Sequence, residues 1–94
     1  MLTWNVTYHC MQGQREAFYQ ELCDLGVRAN SRLEEGNRRY DYYFAAESPD
    51  DLLLVETWTS AELQQAHCRT GTFARLQELK KKYCEGVDIE KFNY

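Results

Sequence analysis

Between Leu52 and Tyr83 the chain reads LLLVETWTSAELQQAHCRTGTFARLQELKKKY, and no other stretch restricts the fold so tightly. Leu52, Leu53, Leu54 and Val55 run together before Glu56, Thr57 and Trp58 alternate, the pattern of a strand covered on both faces. The spacing Thr59-Ser-Ala-Glu62 is that of a capping box, so a helix is expected to start at Thr59. Leu63, Ala66 and His67 then share one helical face, which turns His67 inward toward the sheet that carries Trp58. Thr70-Gly71 breaks the helix. Phe73, Leu76, Leu79 and Tyr83 rebuild an apolar stripe that ends in Lys80, Lys81 and Lys82, where the helix dipole favours cations, with Gly86 as its expected stop. A strand-end tryptophan and an inward histidine would flank one small cavity. His67 is expected there either as a partly packed pocket residue or as a core residue with satisfied hydrogen bonds.

The remaining segments alternate or repeat in ways that complete one sheet. Leu2, Trp4, Val6, Tyr8 and Cys10 form one face of a strand over Leu2–Met11, while Thr3, Asn5, Thr7 and His9 form the other. Gln12-Gly13-Gln14 turns the chain into a helix from Arg15 carrying Phe18, Leu22, Leu25 and Ala29, weakened by Gly26 and ending between Ala29 and Arg32. After a polar loop, Arg38–Ala46 is rich in aromatic residues and reads as a strand. Ser48-Pro49-Asp50-Asp51 folds it back as a hairpin onto the Leu52 strand. Val87–Asn93 alternates as the last strand, with Val87, Ile89 and Lys91 on one face. The order is β-α-β-β-α-β. Right-handed crossovers place both helices on one face of a four-stranded antiparallel sheet, an α+β, ferredoxin-like arrangement of residues 1–94 as a single domain. The opposite face keeps Leu53, Val55, Tyr43 or Met11 uncovered, which points to a homodimer packed sheet on sheet.

Composition removes several function classes. With 44% hydrophobic and 28% charged residues the chain has the make-up of a soluble globular protein, and its net charge of −4 offers phosphate no basic face, so nucleic acid is not expected as a partner. No run approaches the ~20 apolar residues of a membrane span, and MLTWNVTYH lacks the basic start and apolar core of a signal peptide, which sets the expectation of a cytoplasmic protein without membrane contact. Cys10, Cys23, Cys68 and Cys84 are widely separated, without the close pairs of a zinc site, and read as reduced thiols filling apolar space. Glu56 needs a partner if buried, with Arg38, Arg39 or a tyrosine in reach. Trp4, Tyr8, Tyr40 and Tyr42 lie on inward faces as core, some of them lining a cavity for a flat ligand. The lysine run is a solvated helix end.

Three passages together resemble the antibiotic biosynthesis monooxygenase domain family: MLTWNVTYHCMQGQ, EEGNRRYDYY, and ETW followed by AHCRTGTF. The shared pattern is Glu56-x-Trp58, then His67 nine residues after the tryptophan, Thr70 and Phe73. The resemblance implies a dimeric α+β barrel. Its members include quinol monooxygenases working without metal or flavin, polyketide-tailoring oxygenases, haem-degrading enzymes and an isomerase of a sugar-like phosphate. This chain departs from several of them. Gly71-Thr72 stands where many quinol-type members carry Pro-His; Leu54 and Gln64 stand where the polyketide branch has Asn and Tyr. Gln77 stands near the iron-binding histidine of the haem branch, and amide oxygen is a poor haem ligand. What the resemblance implies is a monooxygenase that needs no cofactor and uses dioxygen on a small electron-rich aromatic, a quinol or hydroxylated polycycle. His67 and Trp58 would be its catalytic residues, and Trp4, Tyr8, Tyr42, Glu56 and Phe73 its substrate-binding residues. An isomerase of an enolisable metabolite and a dimeric small-molecule binding module are the alternatives on the same fold.

Overall fold

The computed structural model describes residues 1–94. Its elements are β1 (Leu2–Cys10), α1 (Arg15–Asp24), α2 (Val27–Leu33), β2 (Asn37–Phe44), β3 (Asp51–Trp58), α3 (Ala61–His67), α4 (Gly71–Tyr83) and β4 (Cys84–Asn93). The strands form one antiparallel sheet in the order β2-β3-β1-β4, with all helical cover on one side, so the ferredoxin-like architecture stands. The first expected helix, however, is a pair, α1 and α2, and the second divides at Thr70-Gly71 as its sequence indicates.

The breaks have local causes. Gly26 adopts a left-handed φ of 74° and caps α1 rather than merely weakening it, and the chain restarts at Val27 in a new direction. At the second break, Thr70 is extended and its hydroxyl accepts a hydrogen bond from the Phe73 N–H, which makes it the N-cap of α4. The cap of α3 is Ser60, whose Oγ accepts from the Leu63 N–H at 3.3 Å, and not Thr59. The capping-box spacing misleads by one residue because the strand register holds Thr59: its N–H donates to the Gly36 carbonyl at 2.9 Å. Gly86 does not stop α4 either. The helix ends at Tyr83 and the chain is already extended at Cys84, three residues before the expected start of the last strand.

The strand register sorts the residues into two faces. Trp4 opposes Glu56 and Lys91, Val6 opposes Leu54 and Ile89, and Tyr8 opposes Leu52 and Val87, so these side chains share the helix side. Phe18, Leu22, Val27, Leu76, Leu79 and Tyr83 close over them, and Val6, Tyr8, Cys10, Tyr40, Leu52, Leu54 and Trp58 are the sheet's half of that core. On the open side lie Thr3, Asn5, Thr7 and His9 of β1, Leu53 and Val55 of β3, Tyr43 of β2 and Phe92 of β4. Cys10 is buried and sits against Cys84 with sulfurs 3.9 Å apart, whereas Cys68 is exposed rather than a filler of apolar space. Burial pushes the Cys84 thiol up to about 12. No helix is long and apolar enough to cross a membrane.

Candidate active site

Glu56 and Trp58 both point to the helix side of β3 because they are two residues apart. Trp58 is fully buried and its Nε1–H donates to Glu56 at 2.8 Å. That bond supplies the partner expected from an arginine or a tyrosine; Arg39 instead pairs with Asp41 and Tyr43 outside the core. Burial raises the Glu56 carboxyl above its ordinary value, against the pull of the Trp58 hydrogen bond and of His67. His67, in the last turn of α3, lies on Trp58 with ring centroids 5.0 Å apart and meets the rings of Tyr40 and Phe73 edge-on. It is 2% exposed and enclosed by the aromatic rings, so of the two expectations its packing is that of a core residue and not of a partly packed one.

Glu34 completes this arrangement. It follows α2, and its Oε1 lies 2.7 Å from His67 Nδ1. A carboxylate at that distance holds the proton on Nδ1 and leaves Nε2, which has no partner in the chain, as the basic nitrogen. Sequence reading missed Glu34 because it stands 33 residues away on a polar loop; the Glu-Glu-Gly motif was the available signal.

Beside the histidine lies a cavity of about 80 Å³ between the sheet and α3–α4. Trp4, Tyr8, Glu56, His67 and Phe73 all line it, as expected of them. Trp58 and Tyr42 do not. Trp58 lies behind His67 and can act on the cavity only through that ring and through Glu56. Tyr42 stands nearer the β2 edge, packed on Tyr19 and Tyr40, with a buried hydroxyl that makes no hydrogen bond. Gln64 of α3, Cys68 just past its end, and Gln77 and Lys80 of α4 form the rest of the polar lining. The last two were legible in principle, since Phe73, Gln77 and Lys80 recur at helical spacing of four and three. No three His, Cys, Asp or Glu side chains converge on a point that would hold a metal ion.

Two kinds of likeness bear on this site. The profile of the antibiotic biosynthesis monooxygenase family matches residues 1–79, which include every side chain of the His67 cluster. The chain belongs to that family. Among solved structures of similar fold, PA3566 from Pseudomonas aeruginosa is 26% identical with a TM-score of 0.87, the match covering 99% of this chain and 92% of that one. A Bacteroides thetaiotaomicron protein described as a possible oxidoreductase is 29% identical with a TM-score of 0.86, over 99% and 96% of the two chains. An antibiotic biosynthesis monooxygenase candidate from Nitrosomonas europaea superposes with a TM-score of 0.88 at 21% identity, over 100% and 98%, which speaks to the fold alone. No curated protein matches the sequence significantly. The family assignment therefore gives a monooxygenase fold, and β4, beyond the matched residues, adds Val87 and Ile89 to the cavity wall.

Proposed function

We propose that this protein is a cofactor-independent monooxygenase acting on a small quinol with dioxygen, assembled as a two-fold dimer through the open sheet face. The observation that carries the reading is the Glu34–His67 pair beside an aromatic-walled cavity in a chain of this family. Nε2 of His67 accepts a phenolic proton. The resulting anion is electron-rich enough to pass one electron to dioxygen, and the radical pair recombines to a ring peroxide that loses water. One oxygen atom stays on the ring, which ends oxidised to a hydroxyquinone, and the other leaves in the water. The protein's part is to hold the ring, take the proton and keep bulk water out.

The cavity size favours one ring over a polycycle. A volume of about 80 Å³ is small beside the ~150 Å³ that encloses a benzene ring, so a single ring enters with one edge at the mouth. The test is oxygen uptake with a panel of quinols, with hydroxyquinone formation followed by absorbance. Stoichiometric oxygen consumption is expected. Binding without consumption would leave a binding module, and solvent-proton exchange into an enolisable ligand without oxygen would make it an isomerase.

A further inference from the structure

The cavity has an acidic end and a basic end, and this polarity restricts its ligand more than size does. Inside, Glu56 and the Glu34-bound His67 supply proton acceptors. The other end is cationic. Lys80 lines the cavity and has neither an ion pair nor a hydrogen bond within the chain; it differs in this from Lys82, two residues on, which pairs with Glu21 at 3.2 Å. Phe73 meets His67, and Lys80 stands about two turns further along the same helix α4, away from the histidine. Trp4 adds an independent sign. Its Nε1–H is buried and donates to nothing, although the ring lines the cavity. A buried donor without an acceptor is costly, and a ligand acceptor at this wall would satisfy it.

We propose that the substrate is an anionic hydroxyaromatic, a quinol bearing a carboxylate, with its phenolic end at His67 and its carboxylate at Lys80. This rests on the quinol reading and names the substrate class within it. The reverse orientation would set a carboxylate against Glu56, a second acidic group, whereas the phenolic end has a proton to give there. Lys80 is half-buried, so its attraction is less screened than that of a surface lysine and still falls with added salt.

The experiment measures binding without turnover, by anaerobic calorimetry, with 2,5-dihydroxybenzoate, its neutral amide 2,5-dihydroxybenzamide, and hydroquinone. The carboxylate is expected to bind about tenfold more tightly than the amide, the ordinary effect of one charge-assisted hydrogen bond. Raising the salt concentration should reduce that preference, and Lys80→Met should abolish it. Lys82→Met, which keeps the cavity intact, should preserve it. Equal affinity for carboxylate and amide, a preference that survives Lys80→Met, or no binding by any of the three overturns the anion subsite. Because oxygen is absent, a failed monooxygenase reaction leaves a positive binding result standing, and quinol turnover without carboxylate preference leaves the reaction standing and removes the subsite.

Discussion

His67 is packed as a core residue, and the role proposed for it, a free base, usually pulls the other way. Its ring is enclosed by Trp58, Tyr40 and Phe73 and its Nδ1 is taken by Glu34, so His67→Ala opens a void and leaves a carboxylate unpaired. The change should cost about 2–4 kcal/mol of stability, read by denaturant titration. Loss of activity in that variant is therefore ambiguous, and His67→Gln resolves it. Glutamine can still donate to Glu34 but has no basic nitrogen, so the folded variant should turn over ~10²–10⁴-fold more slowly. Retained turnover would remove His67 from the mechanism. The other histidine differs in every respect. His9, on the open face, has Nδ1 2.7 Å from Asp51 and Nε2 2.7 Å from Asp88. The hydrogen bonds to Asp88 and then to Asp51 raise its pKa above the ordinary value. A raised histidine pKa means stability that is fully present below ~6.5 and is lost as pH rises through the folded-state value. Melting temperature should accordingly fall as pH climbs out of the neutral range, and His9→Gln should flatten that slope; an unchanged slope would show that the pairs carry no stability.

At the level of elements, the Glu34 loop reaches α3 through a glycine. Gly36 has a φ of +82°, and a Cβ built there would lie 2.4 Å from Leu63 Cδ1 and 2.8 Å from Thr59 Oγ1. Only a residue without a side chain lets the loop lie this close to the start of α3, and that contact is what sets Glu34 against His67. Gly36→Ala should cost about 2–3 kcal/mol, from left-handed strain plus displacement of the loop, and should slow turnover in the protein that remains folded. Gly26→Ala is the control: it has similar φ but a Cβ would meet only the Asn30 amide at 3.2 Å, so it should cost about 1 kcal/mol and leave turnover intact. Equal effects on activity would dissociate the loop from the site. These elements also show what the sequence could tell. Strands were readable because alternation is a local signal: Trp4, Val6 and Tyr8 declare their face whatever pairs with them. The hairpin at Ser48–Asp51 announced itself through proline and aspartate. The split at Gly26 was harder, since a glycine inside a helical pattern either weakens or ends it, and the backbone direction decides. Ser60 and Thr59 are equally good caps in sequence, and the hydrogen bond from Thr59 to Gly36 selects between them. Trp4, Tyr8, Glu56, His67 and Phe73 were legible from their faces and the family pattern, and Lys80 in principle from helical spacing, whereas Glu34 and the orphaned Trp4 N–H depend on three-dimensional convergence.

For the whole molecule, the unresolved demand is the open face of the sheet. Leu53 and Val55 lie half-buried at its centre, Tyr43 and Phe92 are exposed on the flanking strands, and polar Thr3, Asn5 and Thr7 run between them. A sheet with helices on one side only leaves these apolar groups in water, and a second copy placed face to face removes them from it without requiring a different partner. Val55 is the decisive position, because it sits opposite Asn5 on one neighbour and Asp41 on the other, near the middle of the face. Sedimentation at micromolar concentration should give twice the 11.2 kDa chain mass. Val55→Lys should shift the protein to monomer, since a two-fold contact would bring two copies of the new charge together in an apolar interface. Far-UV circular dichroism should stay unchanged, as the side chain is already on the open side and leaves the helix-side core intact. A wild-type protein that sediments as a monomer would sink the dimer. A Val55→Lys variant that stays dimeric would place the contact elsewhere on the molecule, with the aromatic edge of Tyr19, Tyr42, Tyr43 and Phe44 the next surface to substitute.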